Sequence, residues 1–510
     1  MSLTAIGPRF GALLMLGALL VPAQELRDYE KKVTDFTLAN GLHFLILERH
    51  QAPVVSFHTY LDGGSAEDPA RKTGLASLIA RLAFDGTETI GTKNWTEEKK
   101  ALESVEAAFD RMDGERDKGS GATEGAYAIL QAGESTALGD AFQFQNPDEY
   151  RHAIEKNGGV ALDSHATPDS IETSYSLPSN RLELWFLLES QRLAHPVFRN
   201  FYRERLKQME DVTYLAESKS PAKVRQSLLS AAFENLPYRN PVMGWPFDVA
   251  ALRRGDAKAF LDTYGGPANI VIAMVGDVDP ATARRLAERY FGPIPAKPHA
   301  PLMRSQELKQ SGPKTVAIWS DGPSYLIVGY KRPPETHRDD PALDLLAVIL
   351  GDPHSGWLHR ELVENKAIAQ NAEAVSDFPA ARYANLFVVS ATPAKDHTVE
   401  ENQKAIDEMV ARLQSMPLDA ASLARAKNIL RGRYLRLLGS NRELAALLTD
   451  FQANYGDWHK LFSLGQDYER VTAEDLERVA LEYLIPAGRT VAYLTNTPAA
   501  GTGFSGGGLH

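Results

Sequence analysis

A proline-rich segment divides the chain, and a similar order of predicted secondary-structure elements occurs on both sides of it. The segment PIPAKPHAP, residues 293–301, contains four prolines, which disfavour helix and sheet interiors and are typical of linkers. A chain of 510 residues is also too long for a single hydrophobic core. The sequence therefore predicts two units joined at this segment, residues 24–292 and residues 302–498.

Both units combine predicted strands with amphipathic helices. In the first unit, strands flank a turn at Asn40-Gly41, and the buried strand NIVIAMVG follows a series of helices. The second unit runs from the strand SYLIVGY through the helix LDLLAVIL to the strand RTVAYLT. This order predicts an α+β fold of two similar units, each a mixed, largely antiparallel β-sheet with helices on one face.

Residues 94–142 interrupt the first unit with a stretch rich in Glu, Lys and Ala. The segment GERDKGSGATEG breaks this stretch, which predicts a helical hairpin laid on the surface. A charged pair of helices is usually a solvated elaboration of a fold, and a partner-docking role is the alternative.

The first 23 residues have the pattern of a secretory signal. Arg9 precedes the apolar run FGALLMLGALLV, and Pro22-Ala23-Gln24 fits cleavage after Ala23. A buried or amphipathic N-terminal helix is the alternative. We expect an exported protein located in a bacterial periplasm, and the Gly-rich residues 499–510 predict a flexible tail.

Composition argues against several classes of function. The formal net charge of -11 disfavours a nucleic-acid partner, which normally selects a basic surface. No segment after the signal is apolar for long enough to span a bilayer. The chain has no cysteine, so disulfides and thiolate metal ligands are excluded.

One predicted helix has the frame of a metal-binding helix without its ligands. In GLASLIARLAFDGT, residues 74–87, three positions spaced as neighbours on one helical face hold Ser77, Ala80 and Arg81. A catalytic zinc takes three ligands from His, Glu, Asp or Cys and keeps an open position for water. Ser77 is a poor zinc ligand, and Ala80 offers no group that could take a proton from bound water.

This segment resembles the inverted motif His-x-x-Glu-His of the pitrilysin/insulinase family of zinc peptidases. The Gly-Leu-Ala lead of the family is present at residues 74–76, and its Phe-x-Gly-Thr exit is present at residues 84–87. The resemblance places the two histidines at Ser77 and Arg81 and the general-base glutamate at Ala80.

Further matches to the family follow along the chain. The third zinc ligand of the family, a glutamate after Glu-Arg, falls at Asp211, downstream of Glu204-Arg205. Asn40-Gly41-Leu42 resembles the family's first hairpin, and Val275-Gly276-Asp277 resembles the end of its first unit. The resemblance implies that the two units face each other as a clamshell around a chamber.

Arg81 carries a permanent charge that would oppose a metal ion. Two like unit charges about 4 Å apart repel each other by roughly 4 kcal/mol at an effective dielectric near 20. Asp211 alone could coordinate a metal, and one carboxylate does not form a site. We therefore expect an ion pair between Arg81 and Asp211, with Arg81 pointing to solvent as the alternative, and no metal or other cofactor in this chain.

The resemblance also implies a peptide-binding strand and a substrate grip. Family enzymes bind peptides by strand addition, and the matching segment ALDSHATPD has Asp163-Ser164 where the family usually has Asn-Ala. Active relatives use an Arg and, seven residues later, a Tyr from the second unit, and these positions hold Val363 and Gln370 here. On the strand, Asp163 and His165 share a side, so a weak adventitious metal site is an alternative there.

These features give three functional hypotheses. The first is a noncatalytic subunit of a periplasmic heterodimeric peptidase, whose homologous partner chain carries the zinc and whose substrate is a peptide. The second is a stand-alone peptide-binding or scaffold protein of the cell envelope without a proteolytic role. The third is an enzyme with a site that the known motifs do not describe.

Overall fold

The computed structural model describes residues 29–496, except residues 117, 120–122, 219, 302, 320, 321 and 417. These residues form two mixed β-sheets and the helices that pack on them. The α+β fold expected from the sequence is confirmed. The predicted signal at residues 1–23 and the predicted tail at residues 499–510 lie outside the described residues.

The first sheet has six strands in the spatial order β1-β2-β6-β3-β5-β4. Strand β2 is parallel to β6, and all the other neighbours in this sheet are antiparallel. Its strands are β1 (Val33–Thr37), β2 (His43–Glu48), β3 (Val54–Asp62), β4 (Val160–Ala166), β5 (Ser170–Pro178) and β6 (Ile270–Gly276).

The second sheet has five strands in the spatial order β7-β11-β8-β10-β9. Strand β7 is parallel to β11, and the other neighbours are antiparallel. Its strands are β7 (Lys314–Trp319), β8 (Tyr325–Arg332), β9 (Ala369–Phe378), β10 (Asn385–Pro393) and β11 (Arg489–Thr495).

The two sheets share one topology. If β1 is set aside, the remaining five strands of the first sheet match those of the second in order and in direction, including the single parallel pair. In both sheets the last strand along the chain lies between the first strand and the central strand of the order β2-β6-β3 or β7-β11-β8. The repeated element order read from the sequence thus corresponds to a repeated sheet topology.

Helices make up most of the remaining described residues. Those of the first half are α1 (Leu75–Arg81), α2 (Trp95–Arg116), α3 (Glu124–Gln143), α4 (Glu149–Lys156), α5 (Leu182–Ala194), α6 (Phe201–Glu217), α7 (Pro221–Ala232), α8 (Pro246–Ala250), α9 (Arg254–Tyr264) and α10 (Pro280–Tyr290). Those of the second half are α11 (Asp340–Gly351), α12 (Val399–Ser415), α13 (Ala420–Gly439), α14 (Asn441–Tyr455), α15 (Lys460–Arg470) and α16 (Ala473–Tyr483), with a π-helical segment at His359–Asn365. No helix among the described residues is both long and apolar enough to cross a membrane.

The predicted helical hairpin at residues 94–142 is present as α2 and α3, which pack on each other. Helix α2 buries Leu102, Val105 and Phe109 in the first core. Helix α3 is mostly exposed, with Ala141 as its one buried residue and the Ile129 side chain 74% exposed. The hairpin is therefore anchored through α2, while α3 forms its outer layer.

Each half of the chain contributes a helix that packs on the sheet of the other half, an arrangement called here the exchange of helices. Helix α7 of the first half packs on β7, β8 and β11 of the second sheet, and α14 of the second half packs on β3 and β6 of the first sheet. Leu228 of α7 and Leu448 of α14 are both fully buried in these contacts.

This exchange differs from the sequence-based expectation that helices cover one face of each sheet. The first sheet buries one face in its own core and the other against α13, α14 and α15, because its strands are apolar on both sides. Residues 293–301 lie between the last strand of the first sheet and the first strand of the second, and hydrophobic packing joins the residues before and after them in both directions.

Candidate functional site

Helix α1, which holds the degenerate motif, packs against β4, β5 and α6. Its residues Leu75, Leu78 and Ile79 are buried in the first core. Ser77 and Arg81 lie one turn apart on the same face, and Ala80 beside them is also buried. The apolar residues thus fix the rotation of the helix and place Arg81 beside Asp211 of α6.

The start of α1 is held by the half-buried carboxylate of Asp68. Asp68 accepts hydrogen bonds from the backbone N–H groups of Gly74 (2.7 Å) and Ala76 (2.9 Å), which have no intrahelical partners. Burial raises the pKa of Asp68 to about 8, although these backbone hydrogen bonds favour the charged form. The backbone at the start of α1 is therefore held by contacts that do not involve positions 77, 80 and 81.

The backbone at residues 243–244 passes close to the start of α1, and a glycine in each segment allows this approach. Gly74 (φ +90°) and Gly244 (φ +83°) have left-handed backbones. A Cβ at Gly74 would lie 2.4 Å from the Met243 carbonyl oxygen, and one at Gly244 would lie 2.2 Å from the Thr73 carbonyl oxygen. The amide of Gln208 donates to the carbonyls of Gly74 (2.8 Å) and Met243 (2.9 Å), which ties α6 to this crossing.

The exit from α1 is held by the turn that begins α6. Arg199 forms a buried ion pair with Glu98 (2.8 Å) and donates to the carbonyl oxygen of Thr87 (2.8 Å). Asp85 accepts a hydrogen bond from the backbone N–H of Asn200 (2.9 Å). Because α6 starts at this turn, the same contacts that end α1 also set the position of Asp211 on α6.

Arg81 and Asp211 form an ion pair. Nη2 of Arg81 lies 2.5 Å from Oδ2 of Asp211 and 3.8 Å from the sulfur of Met243. The pairing expected from the sequence is therefore present, and Arg81 does not point only to solvent. Its side chain is 29% exposed and that of Asp211 is 51% exposed, so the pair lies at the surface of the site.

The residues at this site do not fit a zinc ion. Three protein ligands would be needed, and the positions hold a hydroxyl, a methyl group, a guanidinium and one carboxylate that the guanidinium already contacts. Across the described residues, no three His, Asp or Glu side chains are grouped so that they could hold a metal ion.

Strand β4 is the edge strand next to α1. It pairs with β5 on one side only within the described residues, so its outer N–H and C=O groups form an unpaired row. A bulge with Ala161 at φ +56° separates Val160 from Asp163. The Ser164 hydroxyl donates to the Glu172 carbonyl oxygen of β5 (3.1 Å), on the paired side of the strand.

Asp163 takes part in a polar network that the sequence did not predict. Its carboxylate contacts Nδ1 of His165 (2.9 Å) and lies 3.7 Å from Arg442 of α14. Nε2 of His165 and Nε2 of His58 lie 3.8 Å and 3.2 Å from the Glu172 carboxylate.

The same network reaches the second half through His58, whose Nδ1 contacts the Thr449 hydroxyl at 2.8 Å. Burial disfavours the charged form of Glu172, but the hydrogen bonds of His58 and Ser170 and the charges of His58 and His165 together outweigh it, so the pKa of Glu172 lies below its usual value. Because these residues come from three strands and a helix of the other half, only the strand register brings them together.

Val363 and Gln370 have structural contacts in the second half. Val363 lies in the π-helical segment and packs against the second core. The amide of Gln370 donates to the Pro393 carbonyl oxygen at 3.3 Å. Within the described part of the chain, no hydrogen bond or ion pair joins either residue to α1 or α6.

A cavity of about 490 Å³ lies on the other side of α1. Ile79 of α1 lines it together with Leu82 and Ala83, which follow the helix, and with Trp95 and Phe198, whereas Ser77 and Arg81 do not. Its mouth carries Lys99, Arg254 and Lys258 among acidic residues, so no single ligand charge is favoured.

Comparison with known proteins identifies relatives of this chain. The family description "Peptidase M16 inactive domain" matches residues 251–430, a range that does not include α1. The zinc protease PqqE of Helicobacter pylori is 26% identical over 353 residues, which cover 68% of this chain and 78% of that protein. The chain is a homologue of the M16 peptidases.

The M16 fold extends over nearly the whole chain. A protease of Helicobacter pylori has a TM-score of 0.76 at 21% identity and covers 91% of this chain and 99% of its own. The periplasmic protease PqqL of Escherichia coli has a TM-score of 0.66 at 14% identity, covering 91% of this chain and 48% of that one. The resemblance to the pitrilysin/insulinase peptidases is confirmed.

Proposed function

We propose that this M16 homologue is the noncatalytic subunit of a periplasmic heterodimeric peptidase. One observation carries the proposal: the Arg81–Asp211 ion pair stands where the motif of active relatives supplies ligands, while the lead and exit of the helix are kept. We expect the contacts that position this helix to be kept without the zinc ligands if the shape of the site still contributes to function.

The proposed use is peptide binding. The unpaired edge of β4, with Asp163 and Ser164, offers backbone groups to an added strand, and this mode of binding does not depend on the replaced side chains. The zinc that hydrolyses the peptide would then be bound by the homologous partner chain. The periplasmic location is supported by the predicted signal and by the fold shared with a periplasmic protease.

Reconstitution tests this proposal. The mature chain is mixed with each M16 homologue of the same organism that has an intact His-x-x-Glu-His motif, and complex formation and peptide hydrolysis are measured. We expect one pair to form a stable complex whose hydrolysis exceeds that of the zinc-bearing chain alone. A chain that stays monomeric with every such homologue, and leaves their activity unchanged, argues against the proposal.

A stand-alone peptide-binding or scaffold protein is the second candidate. It is favoured by the loss of the grip positions Val363 and Gln370 and by the α2–α3 hairpin, whose outer helix is exposed and free of Lys and Arg. Binding of unfolded peptides by the purified chain, without any partner and without partner-dependent hydrolysis, would support it.

A further inference from the structure

The degenerate site presents hydrogen-bond donors that have no acceptor. Nη2 of Arg81 contacts Asp211 and Met243, and the described residues offer no hydrogen-bond acceptor to its Nε or Nη1. The hydroxyl of Ser77, one turn earlier on the same face, likewise has no hydrogen-bond partner among the described residues. A guanidinium and a hydroxyl with unused N–H and O–H groups form a site for an anion.

From this geometry we propose that Ser77 and Arg81 bind a peptide carboxylate. The inference rests on the proposed binding of peptides at β4 and names the class of peptide that is selected. The ligand group is a carboxylate, either the C-terminus of a peptide or an Asp or Glu side chain. A planar guanidinium matches the two oxygens of a carboxylate, and such charge-assisted hydrogen bonds are about twice as strong as neutral ones.

Ala80 favours the same ligand. In active relatives this position holds the general-base glutamate, whose negative charge would repel a carboxylate. A methyl group at this position carries no such charge. The three substitutions Ser77, Ala80 and Arg81 thus together change a site for a cation into a site for an anion.

The position of the site on the fold connects it with the peptide edge. Helix α1 packs against β4, so a strand added to the outer edge of β4 runs past α1. We place the ligand carboxylate on that added strand, where it faces α1.

In this proposal Asp211 competes with the peptide carboxylate for the guanidinium of Arg81. It occupies one N–H of Arg81 and holds the guanidinium in place, and at 51% exposure its side chain can turn away when a ligand arrives. Removal of its charge should therefore strengthen carboxylate binding, whereas a purely structural ion pair predicts no gain.

The test uses fluorescein-labelled peptides as long as β4, seven residues, with alternating Val and Thr. One pair differs only in a C-terminal carboxylate or amide, and a second amidated pair differs only in an internal Glu or Gln. Binding to the whole mature chain is measured by anisotropy for the wild type and for Arg81→Gln, Arg81→Lys, Ser77→Ala and Asp211→Asn. Arg338→Gln, at an arginine whose side chain is 82% exposed, is the control, and thermal unfolding verifies that each variant is folded.

We expect at least one carboxylate peptide to bind about tenfold more tightly than its neutral counterpart. Arg81→Gln should abolish this preference, Arg81→Lys should keep part of it, Ser77→Ala should weaken it, and Asp211→Asn should increase it. The first pair reports a C-terminal carboxylate, and the second pair reports an acidic side chain.

Equal binding of charged and neutral peptides overturns this inference and leaves the proposed peptide binding intact. Binding of no peptide at all overturns both. A preference that persists in Arg81→Gln, or that also disappears in Arg338→Gln, assigns carboxylate recognition to another part of the chain and overturns the inference alone.

Discussion

Arg81 and Asp211 lie 130 residues apart in the sequence, and their side chains meet at 2.5 Å between α1 and α6. Both side chains are partly exposed, and exposed ion pairs contribute little to folding because water screens them. The two helices are held instead by the buried and half-buried contacts of Asp68, Gln208 and Arg199. The pair therefore determines the chemistry of the site much more than its stability.

The first prediction follows from this contrast. Arg81→Gln should change the free energy of unfolding by less than about 1 kcal/mol, because the pair is exposed. Arg199→Gln should lower it by roughly 3–5 kcal/mol, because Glu98 would be left buried without its partner. Urea unfolding of both variants measures the difference, and equal effects would show that the Arg81 pair has a structural role after all.

Zinc binding should be restored by returning the motif to its active form. We expect the variant Ser77→His, Ala80→Glu, Arg81→His, Asp211→Glu to bind about one zinc ion per chain, since the helix keeps its frame and three ligands become available. The matched control retains Arg81 and carries the other three substitutions, and it should not retain zinc through dialysis. The zinc content per chain is measured after dialysis for both variants and for the wild type. Stoichiometric zinc in the wild type would contradict our description of the site.

Stability should fall as the pH rises from about 4 to about 7. Burial, aided by the charge of Glu172, raises the pKa of Asp450 to about 7, and burial raises the pKa of Glu67 to about 7 as well. Between the usual pKa of a carboxyl group and this raised value, the folded chain binds more protons than the unfolded chain. The free energy of unfolding then decreases with pH by at most about 1.4 kcal/mol per pH unit for each such group.

Asp450→Asn tests the assignment of this pH dependence. The amide keeps an oxygen that can accept the hydrogen bond from Asn454 (2.8 Å), but it does not titrate. The slope of unfolding free energy against pH should become shallower. Asp457→Asn is the control, because a hydrogen bond from His459 lowers the pKa of Asp457 and it therefore titrates below this range. An unchanged slope in Asp450→Asn would exclude Asp450 as a source of the effect.

The exchanged helices should make the two halves unfold together. Leu228→Ala on α7 or Leu448→Ala on α14 should each cost about 2–5 kcal/mol, because both side chains are fully buried between the halves. Calorimetry should show one transition for the wild type and for both variants. Leu481→Ala, at a leucine that is 51% exposed, should have little effect. Two separate transitions in the wild type would contradict a shared core.

The resemblance and the chemistry of the site were readable from the sequence because both depend on local spacing. Positions 77, 80 and 81 share a helical face whatever the rest of the chain does, so the loss of zinc ligands follows from three residue identities. The α2–α3 hairpin was predictable for the same reason, since its break at GERDKGSGATEG is local. The repeated order of strands and helices was likewise enough to predict an α+β fold of two similar sheets.

Only the tertiary structure decided which elements meet across the chain. The exchange of α7 and α14 between the halves, and the network from Asp163 through His165, Glu172 and His58 to Thr449, join residues that are hundreds of positions apart. The hydrophobic effect is not directional, and it favours the burial of an apolar face against any apolar partner. A sequence pattern therefore shows that a helix face or a strand face is buried, but it does not show which element packs on that face. The sequence and its resemblance already placed Asp211 opposite Arg81, whereas the contacts of Asp163 with Arg442 and of His58 with Thr449 had to come from the packing of α14 on the first sheet.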